Sequence, residues 1–321
     1  MEVEAQEQEQ KYTILYHGNC IDGWISAYLA YSALQVKGPV QLFAISPNQP
    51  RTWPTAQEMS GTHILMVDIS VPEEYRKKWL AAGALAIMCI DHHASSTDHW
   101  SASECPINVE SCAAIQVHKF FFPTVAIPGW LAAVDRIDRW DNPTEEDRCM
   151  REVLSYIAHK PINGSLKEAV ELTQKFIMDM ENPEAVLGYL AQGKQVLHQK
   201  DEQLKQLMFS RGRMVSITPE IAALWQLPAN WIYLTIFVVD NTGITMDTTE
   251  AAHLFFSVQK GAPVFINYRK QTHPGKPFPQ YIFSARSRDF DVTQGTILRG
   301  HPSSAGAAII AKPGVCLPFV M

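Results

Sequence analysis

No Cys-x-x-Cys pair occurs in the 321 residues, although six cysteines (Cys20, Cys89, Cys105, Cys112, Cys149 and Cys316) are present. Thiols scattered through a long chain argue against a disulfide framework and for a reducing compartment, so the cytosol is the expected location. An organelle or the nucleus stays open. Long hydrophobic runs are also missing. The longest uncharged apolar stretches, around Trp79–Ile90 and Phe120–Val134, are too short or too interrupted by proline to span a bilayer, which takes roughly 20 residues. No membrane partner is expected. The opening "MEVEAQEQEQ" is acidic and polar, opposite in character to a secretory or mitochondrial leader, and predicts a disordered tail over 1–10. Internal repeats are absent, and so is low-complexity sequence beyond that tail. From Lys260 onward acidic residues are scarce: two, against eight Lys and Arg, which makes that stretch +6 within a chain of net charge −6. The remainder therefore carries −12. An acidic body with a basic end lacks the broad basic footprint needed to coat long nucleic acid. It suits a small anion held between a metal-charged site and a basic clamp, or a solvated surface with no such role.

What is present is an ordinary globular composition, 46% hydrophobic and 19% charged, with length enough for two domains. Apolar, β-rich runs at Tyr12–Tyr16, Gln41–Ile45, His63–Val67 and Leu85–Ile90 alternate with helical patterns. Trp24–Val36 is stopped by Gly38-Pro39, and Pro72–Ala82 is introduced by Ser70 with Glu73 at capping-box spacing. Such alternation predicts βαβ units with right-handed crossovers. Helices are expected at 111–122 and 130–134, and across 166–206 with a break at Asn182-Pro183. "RMVSI", "WIYLTIFVV", "PVFINY" and "YIFSAR" then read as strands, with helices starting near Asp247 and after Pro302. The predicted fold is α/β: a mostly parallel sheet with flanking helices over 11–180, a helical linker over 181–210, and a smaller α/β domain over 211–321.

Three of the early strands run straight into polar residues: Tyr16 into His17, Val67 into Asp68, and Ile90 into Asp91-His92-His93. Open parallel sheets bind ligands just beyond the carboxyl ends of their strands. Adjacent residues on an extended chain point different ways, so one imidazole of the pair can face a metal and the other the substrate, with Asp91 orienting a ring. Each residue also has a plainer reading. Asp68 could be a strand-ending turn, and Asp22 could cap the following helix. Gly23 would admit a phosphate oxygen close to the backbone. Asp135, Asp138 and Asp141 in "VDRIDRWD" could be a solvated face paired with Arg136 and Arg139, or could supply a late carboxylate ligand. Taken together, His17, Asp22, Asp68, His92 and one late Asp form a carboxylate–imidazole set suited to Mn²⁺, Mg²⁺ or Co²⁺. Five ligands suffice for two ions roughly 3.5–4 Å apart.

In the C-terminal part, "LRGHPSSAGAAI" joins Arg299, Gly300, His301, Ser303 and Ser304 to an expected small-residue helix, and "FSARSRD" adds Arg286 and Arg288. A tight turn into a packed helix explains the first motif. So does an anion cradle of backbone amides, hydroxyls, imidazole and guanidinium. Trp53, Trp100 and Trp140 could stack on a base, although tryptophans more often fill cores or interfaces.

The order "YHGNCIDG", "VDIS", "IDHHAS", "AAVDRIDRWD", "FSARS" and "RGHPSSAGA" resembles the DHH phosphoesterase superfamily with its DHH-associated C-terminal domain, over nearly the whole chain. The resemblance implies a two-domain α/β enzyme with a divalent-metal centre, usually manganese, in its N-terminal lobe, and a site in the cleft between lobes. Members include single-strand exonucleases, nanoRNases, cyclic-dinucleotide phosphodiesterases, exopolyphosphatases and inorganic pyrophosphatases. Carried over by motif, His17 and Asp22 match the first metal motif, Asp68 the metal-bridging Asp, and His92 the metal-binding His. His93 matches the substrate-facing His. Asp135 is taken as the last ligand, with Asp138 the alternative. Arg286, Gly300, His301 and Ser304 match substrate-contact positions, and Arg299 stands where a glycine is common. Cys20 occupies a position that is Asp in many members, which removes one carboxylate or substitutes a thiolate.

The expected chemistry is metal-assisted hydrolysis of a phosphodiester in a short oligonucleotide or small phosphorylated nucleotide, with His93 serving the leaving oxygen and two Mn²⁺ ions as cofactor. Polyphosphate-type phosphoanhydride hydrolysis is the alternative within catalysis. A catalytically silent nucleotide- or partner-binding relative is the alternative outside it. Cys20 as a nucleophile is the weaker reading because no motif supplies a base beside it. A homodimer stays open.

Overall fold

The computed structural model describes residues 10–46, 53–93, 96, 100, 105, 108–139, 141, 143–161, 165–244, 246, 248–259, 261–273, 275–288, 290–301, 304–315 and 317–320, with only the backbone at 299–301 and 304. The chain divides into two compact units, Met1–Leu197 and His198–Met321. The predicted tail over 1–10 lies almost wholly outside the described residues.

The first unit is built on four parallel strands: β1 (Tyr12–His17), β2 (Val40–Ile45), β3 (His63–Val67) and β4 (Ala86–Ile90), in the order β2-β1-β3-β4. Side chains alternate across a strand, and here both faces are buried. Ile14, Tyr16, Leu65, Val67 and Ile90 turn into one apolar cluster, while Leu15, Ile64, Met66 and Cys89 turn into another with Trp53 and Trp79. Around the sheet lie α1 (Ile21–Leu34), α2 (Glu73–Ala81), α3 (Ala113–Phe121), α4 (Gly129–Asp138), α5 (Glu145–Ala158) and α6 (Leu166–Asp179), followed by the long α7 (Pro183–Arg211), which begins at the predicted Asn182-Pro183 break. Buried α1 packs against β1, α3, α4 and α5. Its Trp24 is 1% exposed, and the indole Nε1 donates to Thr173 Oγ1 at 2.9 Å.

Two local expectations change. Ser70 does not cap α2, whose cap position is Pro72; its hydroxyl donates instead to Ser96 Oγ at 2.8 Å. Helix α5 has no counterpart among the predicted elements, although its signal is present: the Thr144 side chain accepts from the Asp147 amide and the Asp147 carboxylate accepts from the Thr144 amide, a capping box.

The second unit holds a six-stranded sheet, β5 (Gly212–Ser216), β6 (Thr235–Asp240), β7 (Val264–Gln271), β8 (Gln280–Ser287), β9 (Arg299–His301) and β10 (Ser304–Ile310), in the order β5-β6-β7-β8-β10-β9. Only β6 and β7 are parallel. Helices α8 (Pro219–Trp225) and α9 (Thr248–Val258) belong to the same unit, as does the end of α7 from His198. The helix expected after Pro302 is a strand. Ser304–Ile310 pairs antiparallel with β8 along its length, Ala305 is buried, and a Cβ on Gly306 would stand 3.1 Å from the Phe283 carbonyl oxygen. Small residues that read as a tight helix are small because this strand lies close to its neighbour. Cross-strand context overrides alanine's helical preference.

Candidate metal centre

Strands β1, β3 and β4 are neighbours, with Tyr16 level with Val67 and Val67 level with Ile90. The residues that follow, His17, Asp68 and Asp91-His92-His93, therefore emerge side by side at the carboxyl edge. The order β2-β1-β3-β4 reverses direction between β1 and β3, so this edge is a topological switch point.

The β1–α1 connection is tight. Asn19 takes φ 60°, and α1 starts at Ile21. A Cβ on Gly23 would lie 2.3 Å from the His17 carbonyl oxygen. Gly23 is therefore glycine to let α1 pass against the end of β1; the close approach belongs to the protein's own backbone, not to a phosphate. At β3, Asp68 takes φ 56°, a left-handed conformation costly for a residue with a side chain, by about 1–3 kcal/mol. Its amide still donates to Ile90 O at 3.0 Å, so the turn begins on the ladder and swings the carboxylate over the strand ends.

Asp22 does not cap its own helix. Its two oxygens accept the amides of Ala113 (2.9 Å) and Ala114 (2.8 Å), at the start of α3. The helix N-terminus, a region of positive potential, holds the carboxylate inside the protein.

Three carboxylates converge on one imidazole nitrogen. His92 Nε2 lies 3.2 Å from Asp68 Oδ1, 3.3 Å from Asp138 Oδ2 and 3.7 Å from Asp22 Oδ2. The other oxygen of Asp68 is 3.3 Å from His17 Nδ1. Three groups of ligand atoms, each within 4.8 Å of one another, result among the described residues: Asp22, His92 and Asp138; His17, Cys20 and Asp68; and Asp68, Asp91, His92 and His93. Asp68 touches the first two through its two oxygens.

Asp135, taken from the sequence as the last ligand, is placed elsewhere. Arg139 grips it from Nε and Nη2, both at 2.9 Å, and the Cys112 amide donates to it at 2.6 Å. Its acceptor capacity is spent on holding α4 to the start of α3. Asp138, one turn later, faces the centre.

The electrostatics are those of crowded acids. Burial, then the charges of Asp68 and Asp138, push Asp22 well above the carboxylate range, and burial with Asp68 pushes Asp138 up to about 6. Burial alone would raise Asp68, but the imidazoles of His17 and His92 hold it well below its usual value. Burial and the surrounding carboxylates push the Cys20 thiol up as well. A cation fits this set. One imidazole N–H can satisfy only one of three carboxylates, and buried Asp68 Oδ2 receives no well-formed hydrogen bond. The donors are hard oxygens and imidazole, with a single sulfur.

His93 stands beside the cluster, its side chain 38% exposed, with Nδ1 2.8 Å from Asp91 Oδ1. Asp91 is fully buried and is itself oriented by the His92 amide (2.8 Å) and by Ser96 Oγ, which donates to Oδ2 at 2.5 Å. Burial works against a charged His93, but the hydrogen bond to Asp91 and the charges of Asp91, Asp68 and Asp138 raise it to about 9.

Sequence reading missed Ser96, although a hydroxyl five residues beyond Asp91 was its signal. It also missed Cys112, whose thiol is within hydrogen-bond reach of Asp22 and which no local pattern marks. Trp53 and Trp100 are core residues: the first donates to Ser46 O at 2.8 Å, the second lies under the Arg76 guanidinium at 3.9 Å. Trp140 lies outside the described residues.

In the second unit, Arg286 on β8 is opposite Ser304 on β10, and Ser304 is opposite His301 on β9. Gly300 pairs with Ala305, and Arg299 with Gly306. The predicted contact residues thus sit in neighbouring registers of three strands, with no helix N-terminus among them. Arg286 donates to Thr249 Oγ1 at 3.0 Å. Ser303 lies outside the described residues.

No family model and no curated protein sequence matches the chain. Solved structures do. The pGpG-specific phosphodiesterase PggH from Vibrio cholerae is 11% identical, with a TM-score of 0.47 over 94% of this chain and 93% of that one. An exopolyphosphatase-related protein from Bacteroides fragilis is 12% identical, with a TM-score of 0.46 over 97% and 89%. RecJ from Thermus thermophilus, in complex with Mn²⁺, is 14% identical, with a TM-score of 0.44 over 95% of this chain and 50% of that one. These figures describe a distant likeness, and the chemistry of the centre follows from its own residues. In its order of motifs the chain resembles the DHH phosphoesterase superfamily.

Proposed function

We propose that the protein is a divalent-cation-dependent phosphohydrolase that cleaves a phosphodiester bond in a short oligonucleotide or small phosphorylated nucleotide. The observation that carries this reading is the convergence of Asp22, Asp68 and Asp138 on His92, with Asp68 reaching His17 through its second oxygen. His17, Asp22, Asp68, His92 and Asp138 would hold the cations, with Mn²⁺ favoured by oxygen and imidazole donors and Mg²⁺ or Co²⁺ acceptable. When bound there, divalent cations would supply Lewis acidity, neutralising phosphoryl charge and lowering the pKa of water so that hydroxide is available near neutral pH.

The protein's own part is positioning and proton transfer. Asp91 fixes the His93 ring through Nδ1–H, which leaves the other ring nitrogen for a substrate. The hydrogen bond to Asp91 holds the ring beside the cluster, so His93 suits delivery of a proton to the leaving oxygen. Asp91 acts through His93 as a positioning residue. The row of Arg286, Ser304 and His301, with Arg299 and Gly300 alongside, is proposed to hold further phosphate of the substrate. The +6 charge from Lys260 onward supports a short, highly charged ligand. The scattered cysteines support a cytosolic setting.

Hydrolysis of a panel with added Mn²⁺ tests the reading: a di- or trinucleotide, a 3′,5′-bisphosphate nucleotide, a cyclic dinucleotide and short polyphosphate. Turnover of a nucleotide substrate, abolished in Asp68→Ala and His92→Ala, is the expected result. Turnover of polyphosphate alone would transfer the reading to phosphoanhydrides. Nucleotide binding without turnover would mark a silent binder, and unchanged hydrolysis in Asp68→Ala would remove the metal assignment.

A further inference from the structure

Two of the three ligand groups differ in one atom type, and the difference is chemical. The group of Asp22, His92 and Asp138 offers two oxygens and a nitrogen, whereas that of His17, Cys20 and Asp68 offers a nitrogen, a sulfur and an oxygen. Cys20 is not alone in pointing to a ligand there: Asp68 is 1% exposed, and its Oδ2, on the His17 side, lacks a well-formed hydrogen bond. Thiolate with imidazole favours zinc over manganese, while carboxylates with imidazole suit manganese and magnesium.

We infer that the centre is a mixed-metal one, in which Cys20 ligates a zinc-type ion together with His17 and Asp68 while Asp22, His92 and Asp138 hold a manganese-type ion, Asp68 being shared. This rests on the reading of the cluster as a cation centre. On binding, the Cys20 S–H bond breaks, its proton leaves to solvent, and both electrons of the thiolate sulfur go into the new metal bond; no oxidant or reductant is involved. Cys112 is the competing sulfur. It lies against Asp22 and Asp138 at the start of α3, but it joins none of the three ligand groups.

The test uses the whole chain stripped of metal and titrated with Co²⁺, whose bonds to thiolate give a near-ultraviolet charge-transfer band. The wild type is expected to show that band saturating at one equivalent, with a second equivalent bound without adding to it. Cys20→Ser and Cys20→Asp should lose the band and Cys112→Ser keep it. From a mixture of Zn²⁺ and Mn²⁺, the wild type should retain about one zinc per chain. In Cys20→Asp the zinc preference should fall at least about 10-fold, since changing even a residue that merely orients a ligand costs about 10–100-fold in affinity. Should the Cys20 variants fold poorly, Co²⁺ should still shield Cys20 of the wild type from alkylation read by peptide mapping.

Two bound Co²⁺ with no charge-transfer band would overturn the inference and leave the cation centre standing. A band lost in Cys112→Ser and kept in Cys20→Ser, or an unchanged zinc preference in Cys20→Asp, would overturn it too. Failure of the wild type to bind any cation would overturn the centre itself.

Discussion

The Nδ1 of His93 stands 2.8 Å from Oδ1 of Asp91, two residues back along the chain. The His92 and His93 rings lie 4.5 Å apart, yet their nearest partners differ: His92 Nε2 faces Asp68, Asp138 and Asp22, whereas Asp91 is the nearest carboxylate to His93 Nδ1, with Asp68 at 3.8 Å. In the proposed reading His92 binds the cation and His93 serves the leaving oxygen.

His93→Gln is therefore expected to lose about 10²–10⁴ in kcat, the usual worth of a positioned general acid, with cation content unchanged. The loss should shrink on a nitrophenyl ester, whose leaving group needs no proton. Asp91→Asn should show the same leaving-group dependence in milder form. Steady-state kinetics on the two ester classes, with metal analysis of each variant, checks both.

Asp135 and Asp138 should separate cleanly. Asp138→Asn is expected to weaken cation binding by at least about 10-fold, measured calorimetrically. Asp135→Asn should leave cation affinity near wild type but cost about 1–3 kcal/mol of stability, because Arg139 loses a two-point carboxylate partner and the Cys112 amide a charged acceptor. Equal effects of the two variants on cation affinity would contradict the placement of Asp135.

Gly23→Ala places a methyl group 2.3 Å from the His17 carbonyl oxygen, where backbone on both sides must yield. A loss of about 1–3 kcal/mol is expected in urea unfolding, typical of overpacking. Because the same carbonyl belongs to a ligand residue, cation affinity should fall with it, whereas a distant destabilising change should leave affinity alone.

The Asp147 carboxylate accepts from Arg136 Nε at 2.8 Å and Nη2 at 2.5 Å, and also from the Thr144 amide. Burial opposes its charge, but these donors hold it below its usual value of 3.8. A group depressed in the folded state adds stability that is present above its unfolded pKa and is lost as pH falls through the folded one. Asp147→Asn should cost about 1–3 kcal/mol near neutral pH. The gap from wild type should narrow only below about pH 4. Urea unfolding of both proteins from pH 7 to pH 3 reads the difference.

Much of this was legible in local sequence. Period-2 apolar runs ending in His17, Asp68 and Asp91-His92-His93 identify strands and what lies at their ends, because alternation and strand-end polarity are properties of a few consecutive residues. The order of strands and helices makes the first sheet parallel and puts those ends on one edge. The break at Asn182-Pro183 was readable for the same reason, since proline acts on its own backbone. What sequence could not decide was every choice that depends on a partner far along the chain. Asp135 and Asp138 are equivalent in pattern; Arg139 and the Cys112 amide take one and leave the other to the centre. Asp22 reads as a cap for α1 and serves α3, some ninety residues later. Gly23 reads as room for a ligand and makes room for a carbonyl. The run from Ser304 reads as helix and is strand because β8 and β9 lie on either side of it. Periodicity records which face of an element is buried. Hydrogen bonds and close contacts across the fold decide what that face meets, and those are set only when the elements pack.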